Sequence, residues 1–389
     1  MLSPGGHAVL GTGVLLSGLG WGLGYPEAVD LGAACLLAVV LAAAWAYPRQ
    51  SIRARREVVP AKVARGDPTE GVVVLSNTGT RTVRGLRAED FVAGEPVYPV
   101  ALPPVPPGGQ VRARYPLPSH RRGRVPVGPM HLIRGDPLGL GRHARVHGDI
   151  ETLLVRPRTV PLPVLPAGRT HHLEGPTSDT AQDGTLTFHS LREYVLGDDL
   201  RRVHWKSTAR MGSMMVRRMV DVSLPVTTVV LDTDPSAYED RGGPPVFEVA
   251  VDAAASVACA VARHHFPLRF LTGAGPLDDD RGRGPDAGRI LDLLALVETD
   301  PGHTLAAALD ALERLRPTDT LVVVTGTTAT IGPNRLGRLG RRYDRVVVIR
   351  IAPAHHRHPA PSALPPGVVG MDVTGLDELG VAWRAEAQR

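Results

Sequence analysis

The pattern of apolar and polar positions divides the chain before any motif is considered. Ala8 to Leu23 carries no charge, and Ala28 to Tyr47 is apolar apart from Asp30. The second run is long enough to cross a hydrocarbon core of about 30 Å, and the first suffices with its flanks. Gly24-Tyr25-Pro26-Glu27 joins them tightly, which predicts a transmembrane helical hairpin over residues 1–48. Gly18 with Gly22 and Gly20 with Gly24 have the spacing that lets helix backbones approach within such a pair.

From 49 to 165 the period shortens. Gly71 to Leu75, Val111 to Tyr115, Arg124 to Val127 and Ile150 to Val155 are β-branched runs separated by turn residues, as in Ser76-Asn77-Thr78-Gly79. Short strands without intervening helices predict a β-sandwich-like domain. Between Arg156 and Gly184 the chain is rich in Pro, Gly, Thr and Asp without periodicity and reads as a linker, and with the β-rich domain ending at 165, linker and charged segment are assigned to 166–221. His171 and His172 lie there without a third ligand at useful spacing.

Beyond 222 strand-like and helix-like runs alternate. Val226 to Leu231, Leu268 to Leu271, Leu321 to Val324 and Arg345 to Ile351 read as buried strands. Val246 to His264, Arg289 to Val297 and Leu305 to Leu315 read as helices. Such alternation predicts an α/β domain over 222–389 with a parallel sheet covered on both faces. Asp278 to Arg283 and the Pro- and His-rich stretch Ala352 to Pro366, with His355, His356 and His358, read as surface loops.

Charge changes the picture mainly by orienting it. Arg49, Arg53, Arg55 and Arg56 follow the second apolar run, so the bulk of the chain is expected to be cytoplasmic in a two-span protein of the cell membrane. The net charge of +5 is carried almost wholly by Arg, since Lys occurs only at Lys62 and Lys206, and aromatic residues make up 4% of the chain. No basic stretch is interleaved with aromatic platforms, so no nucleic-acid partner is expected. His120 to Arg124 reads as a solvated basic turn. Cys35 and Cys259 build neither a disulfide framework nor a zinc site.

The densest chemistry lies in Arg192-Glu193-Tyr194, Gly197-Asp198-Asp199, Arg201, His204-Trp205 and Ala209-Arg210. Acids and bases alternate there around a Gly-Asp-Asp turn signal flanked by two large aromatic residues. A structural network in which arginines satisfy carboxylates bidentately, a buried latch, is the expected role. This pattern resembles the signature of the bacterial domain of unknown function 58 family. Asp136-Pro137-Leu138-Gly139-Leu140 is similar to the element that precedes it in that family, with Leu138 where Phe is usual.

The resemblance implies two membrane spans, a β-rich domain, a C-terminal α/β von Willebrand factor A-like domain, and association with MoxR-type AAA+ ATPases. In von Willebrand A domains the first strand ends in Asp-x-Ser-x-Ser, which holds Mg²⁺ with a Thr from a second loop. Here Asp232, Asp234 and Ser236 occupy the first loop, with Asp234 in place of a Ser, and Thr304 corresponds to the second. The third loop, Thr325-Gly326-Thr327, has no carboxylate. No nucleophile elbow, P-loop, dinucleotide fingerprint or His-Glu-x-x-His motif occurs. The expectation is therefore a membrane-tethered scaffold working with such an ATPase at the envelope. The alternative is a metal-dependent hydrolase built on that degenerate Mg²⁺ loop. The lipid bilayer is the other expected partner.

Overall fold

The computed structural model describes residues 2–46, 52–96, 100–165, 186–195, 198–221, 225–238, 246–279, 286–329, 331–353 and 364–388. They form two compact units, Met1–Arg156 and Pro157–Arg389.

In the first unit, helices α1 (Pro4–Leu23) and α2 (Pro26–Ala46) pack antiparallel. Ser3 caps α1 by accepting the Gly6 N–H through its hydroxyl, and Pro4 occupies the first helical position. Gly24, at φ 73°, ends α1 in the left-handed region that glycine tolerates. A Cβ on Gly20 would lie 2.8 Å from the Val29 nitrogen, and one on Gly32 would lie 2.3 Å from the Ser17 hydroxyl. The glycines that bring the helices together are therefore Gly13, Gly20 and Gly32. Gly18 and Gly22 face open space, so the spacing expected to pack them fails. Outward, Trp21, Leu37, Leu41 and Trp45 are exposed. Among the described residues, α2 is the helix long and apolar enough to cross a membrane.

Strands β1 (Ile52–Val59), β2 (Lys62–Ala64), β3 (Glu70–Asn77), β4 (Leu86–Glu89), β5 (Phe91–Val92), β6 (Glu95–Pro96), β7 (Val100–Ala101), β8 (Gln110–Pro116), β9 (Gly123–Val127), β10 (Met130–Gly135), β11 (Arg142–His147) and β12 (Glu151–Arg156) follow. They form sheets ordered β1-β3-β8, β11-β10-β4-β7 and β2-β12-β9-β5-β6. On β3 alternate residues Val73, Leu75 and Asn77 point inward, the period-two pattern of a half-buried strand. Val73 and Leu75 join Val127, Leu153 and Val155 in one core.

Arg56 departs from its expected role. It is 4% exposed and donates to Asp90 at 3.1 Å and to the Asp149 carbonyl at 2.7 Å. The Tyr115 hydroxyl also donates to Asp90. Burial, then Asp90, pushes the Tyr115 pKa far above its ordinary value, so this phenol stays a donor. Arg56 is thus a core charge held by its partners, not part of the basic flank. Arg49 lies outside the described residues, and Arg53 and Arg55 remain at the surface.

The Asp-Pro-Leu-Gly-Leu element forms the turn between β10 and β11. Asp136 is buried, and its carboxylate accepts the N–H groups of Leu138 and Gly141. The turn meets both helices. Ser3 donates its N–H to the Leu140 carbonyl at 2.8 Å and its hydroxyl to the Gly139 carbonyl at 2.6 Å. A Cβ on Gly6 would fall 2.1 Å from the Leu140 oxygen, and one on Gly141 would fall 3.0 Å from the Ala42 oxygen. Leu138 itself is 68% exposed.

The second unit begins with an extended strap over 157–165, part of the stretch expected to be a linker. Leu162 and Leu165 are buried in the core of this unit. Buried Asp252 and Ser256 accept the N–H groups of Arg158 and Val160, and the Trp383 indole donates to the Pro163 carbonyl at 2.7 Å. The strap thus satisfies polar groups on an otherwise apolar helix, a role that its Pro-rich sequence conceals.

Next come β13 (Leu186–Glu193), a 3₁₀ turn (Leu200–Arg202), α3 (Trp205–Met211) and β14 (Met215–Asp221). The α/β part has β15 (Thr227–Leu231), a 3₁₀ turn (Pro235–Ala237), α4 (Val246–Arg263), β16 (Leu268–Thr272), β17 (Gly275–Asp279), α5 (Ala287–Leu294), α6 (Leu305–Arg314), β18 (Thr320–Gly326), α7 (Pro333–Arg342), β19 (Arg345–Ile351), β20 (Val368–Val373) and α8 (Leu376–Ala387). The sheet order is β17-β16-β15-β18-β19-β20, parallel except for edge strand β17. Successive strand residues sort to opposite faces. Val229 and Leu231 pack with residues of α4, α5 and α8, while Val230 packs with residues of α6 and α7.

Asp136→Ala is expected to lower the unfolding free energy of the full chain by about 1–3 kcal/mol, because it strands two N–H groups. Leu138→Ala should change it by less than about 0.5 kcal/mol. Denaturant midpoints in detergent measure both, and equal shifts would contradict the assignment.

Candidate functional site: the cleft where the strand order reverses

In an open parallel sheet ligands bind beyond the carboxyl ends of the strands, where the order reverses. Here that point lies between β15 and β18. The chain leaves β15 at Leu231 and enters Asp232-Thr233-Asp234. Asp232 is 1% exposed. Its carboxylate accepts the Thr325 hydroxyl at 2.6 Å and the Asp234 N–H at 3.0 Å, and its carbonyl accepts the buried Tyr238 hydroxyl at 2.6 Å. Asp234 caps the following 3₁₀ turn by accepting the N–H and hydroxyl of Ser236 at 2.9 and 2.7 Å. Thr304 caps α6 through the Ala307 N–H.

The loops are interlocked. Asp300 donates its N–H to the Thr233 carbonyl at 2.8 Å, and the Thr328 hydroxyl donates to the Ser236 carbonyl at 2.7 Å. A Cβ on Gly326 would lie 1.8 Å from the Ala237 oxygen, so only glycine fits where β18 passes under the first loop. Between the loops is a cleft of about 230 Å³. Asp232, Asp234, Ser236 and Thr304 all line it, with Ala329 and Arg335 at its other side. The four residues singled out in the sequence are therefore brought together.

Burial raises the Asp232 pKa above the ordinary carboxylate value. The Thr325 hydroxyl and Asp234 N–H oppose the rise, and the Asp234 charge adds to it. Burial, then the charges of Asp232 and Asp234, pushes Tyr238 well up. Sequence reasoning named Thr325 only as part of a loop lacking a carboxylate. Its part is to donate to Asp232 from the end of the strand beside β15, a pairing that leaves no local pattern in the sequence.

Carboxylate and hydroxyl oxygens suit a hard divalent cation, and each carboxylate oxygen engaged by one donor keeps a second lone pair. By donor chemistry the set fits Mg²⁺. Among the described residues no three His, Cys, Asp or Glu side chains gather at one point, so such an ion would lean on the Ser236 and Thr304 hydroxyls.

The signature residues lie on and between the strands of a β-hairpin. β13 pairs antiparallel with β14, and Tyr194 and His204 donate their N–H groups to the Met214 and Met215 carbonyls. Arg192 grips Asp198 bidentately at 2.8 and 2.5 Å, Asp198 also accepts the Val195 N–H, and Asp199 caps the 3₁₀ turn through the Arg201 N–H. Glu193 accepts the Ser213 hydroxyl, and His204 caps α3 while bonding the Ser207 hydroxyl at 2.8 Å. The bidentate pair is thus present, but burial is not. Arg192, Glu193, Asp199, Arg201, Ala209 and Arg210 are exposed, and Trp205 is 66% exposed. The buried latch is corrected to a surface network, in which side chains cap short turns and so remain near water. Gly197, His171, His172, His355, His356 and His358 lie outside the described residues.

Residues 190–365 match the family model described as "Protein of unknown function DUF58", the family that the signature resembles. No curated protein matches the chain. Among solved structures it is similar to the CARDB domain of the PF1109 protein from Pyrococcus furiosus, in complex with di-metal ions. That match has 12% identity and a TM-score of 0.22, covering 28% of this chain and 97% of that one. It is also similar to the Deinococcus radiodurans RO (RSR) protein, at 16% identity and a TM-score of 0.26, covering 43% of this chain and 36% of that one. Likenesses this slight carry neither fold nor function to this chain.

Because its folded pKa is raised, Asp232 favours the fold most below the ordinary carboxylate pKa, and that contribution is lost as pH rises through the folded value. Asp232→Asn removes this titration. The variant is expected to gain stability relative to the parent as pH goes from about 4 to 7, measured as denaturant midpoints at each pH. Parallel curves would contradict it.

Proposed function

We propose that the chain is a membrane-tethered cytoplasmic adaptor whose α/β domain is von Willebrand factor A-like and receives a MoxR-type AAA+ ATPase at the cleft beyond β15 and β18. Its work would lie in assembly or maturation of envelope-associated complexes. The observation that carries this reading is the cleft itself. Three loops are locked together around it by side-chain and backbone hydrogen bonds, and Asp232 is kept there although burial opposes its ionised form. A buried carboxylate with a shifted pKa in a cleft marks a functional site more often than chance would.

Support for the tether comes from α2 and from the apolar side chains that both helices expose outward. In this reading α1 is the second span, and the positive flank of Arg53 and Arg55 keeps the remainder cytoplasmic. The ATPase as partner follows from the family resemblance. Leu200, Trp205 and Met211 of the signature segment are exposed as well, apolar side chains of the kind that partners cover. If Mg²⁺ binds there, Asp232, Asp234, Ser236 and Thr304 would hold it, and it would supply a positive charge to attract an acidic group of the partner.

A second reading, a metal-dependent hydrolase, is favoured by the same oxygen cluster. Its carboxylates would have to orient a water as well as hold the ion.

Full chain solubilised from membranes is expected to co-purify with the ATPase, and Asp234→Ala should reduce recovery at least about tenfold. Failure to recover it from either form would sink the adaptor reading. Hydrolysis of phosphoester or peptide substrates by the parent, dependent on Mg²⁺ and lost in Asp234→Ala, would instead establish the second.

A further inference from the structure

We propose that the groove on the inner face of the β10–β11 hairpin binds the phosphate headgroup of an anionic phospholipid from the bilayer that holds α2. This rests on the membrane reading of α2.

The groove is made by cross-strand pairs. Arg134 faces His143, Leu132 faces Arg145, and Met130 faces His147, so alternation along β11 puts His143, Arg145 and His147 on one face. They line the groove with Arg134, and the guanidiniums of Arg134 and Arg145 give its rim a positive charge. Leu86 and Leu132, both nearly buried, make the floor, and Ile52 closes it at the start of β1, the strand that follows α2. A basic rim over an aliphatic floor matches a phosphate with an acyl chain beneath it. It suits a free sugar or a nucleic-acid base poorly.

Position gives the second argument. The turn that closes this hairpin is the one that holds the beginning of α1 and the end of α2. A Cβ on Gly141 would lie 3.0 Å from the Ala42 oxygen and 3.2 Å from the Ala46 Cβ. His143 is two residues further along an extended strand, about 7 Å away. If α2 crosses the hydrocarbon core, the groove stands at headgroup depth. Leu138, exposed at the tip of the turn, then points an aliphatic group at the same boundary. The basic turn from His120 to Arg124 has no such tie to the helices among the described residues.

Electrostatics agree. Burial and the neighbouring Arg145 hold the pKa of both His143 and His147 below the ordinary histidine value. An arriving phosphate would offset the charge of Arg145, and the two imidazoles would report it by moving back up.

The test is a titration of full chain, in neutral detergent, with dihexanoyl phosphatidylglycerol, dihexanoyl phosphatidylcholine and inorganic phosphate. Binding is read by native mass spectrometry and by the imidazole NMR signals. One phosphatidylglycerol is expected to bind and to raise the pKa of His143 and His147. Arg145→Gln is expected to weaken binding about fivefold, and Arg124→Gln to leave it unchanged. Equal affinity for phosphatidylcholine, equal binding by Arg145→Gln, or equal loss in Arg124→Gln would overturn the proposal. Inorganic phosphate binding as tightly as the lipid would show a free-phosphate site and overturn the lipid assignment. Recovery of the chain in the soluble fraction would remove the membrane reading of α2, and the same water-soluble lipids titrated in buffer would still decide the groove.

Discussion

A carboxylate that is 1% exposed stays in a folded protein only where donors are aimed at it. For Asp232 those donors are the Thr325 hydroxyl and the Asp234 N–H. The first comes from the neighbouring parallel strand and the second from the loop's own turn. Together they tie the end of β15 to the end of β18 at the point where the sheet reverses its order. Ser236 and Thr328 then close the loop onto the strand beneath, and Gly326 leaves them the room. The cleft therefore follows from the topology of the sheet and from one buried acid, with little further invention in the loops.

The first unit has its own constraint of the same kind. Asp136 binds the N–H groups of its own turn, and the carbonyls thereby presented at Gly139 and Leu140 accept from Ser3 at the start of α1. A short acidic turn thus becomes the seat of two apolar helices. Arg56 illustrates how context overrides composition. It sits among the arginines expected to flank a membrane span, yet its guanidinium is committed to Asp90 and to the Asp149 carbonyl inside the β core.

Much of the α/β unit was legible because its strands are fully buried. Val229, Val230 and Leu231, or Val346 to Ile349, read as strands from apolar content alone. Strands β11 and β17 were not legible. Arg142-His143-Ala144-Arg145-Val146-His147 presents basic side chains on both faces, and β17 carries Pro276 and two acids at the sheet edge. Helix α7 was hidden by its arginines and two glycines, with only Leu336 and Leu339 facing the core. In the cleft, Asp232, Asp234, Ser236 and Thr304 could be named from their position after a buried strand. The hydroxyl of Thr325 could not, because hydrogen bonding across parallel strands leaves no local pattern. In the signature segment residue types were readable, but burial was not. Capping of short turns and docking against a neighbour use the same Asp, His and Arg.

Partner binding at the carboxyl edge of the sheet is tested most directly by a photo-crosslinking residue placed at Ala329, in the cleft, and separately at Arg316, at the amino edge. Both would be irradiated in native membranes. The adaptor reading predicts an adduct with an AAA+ ATPase from position 329 and none from position 316. No adduct from either position, or equal adducts from both, would contradict it.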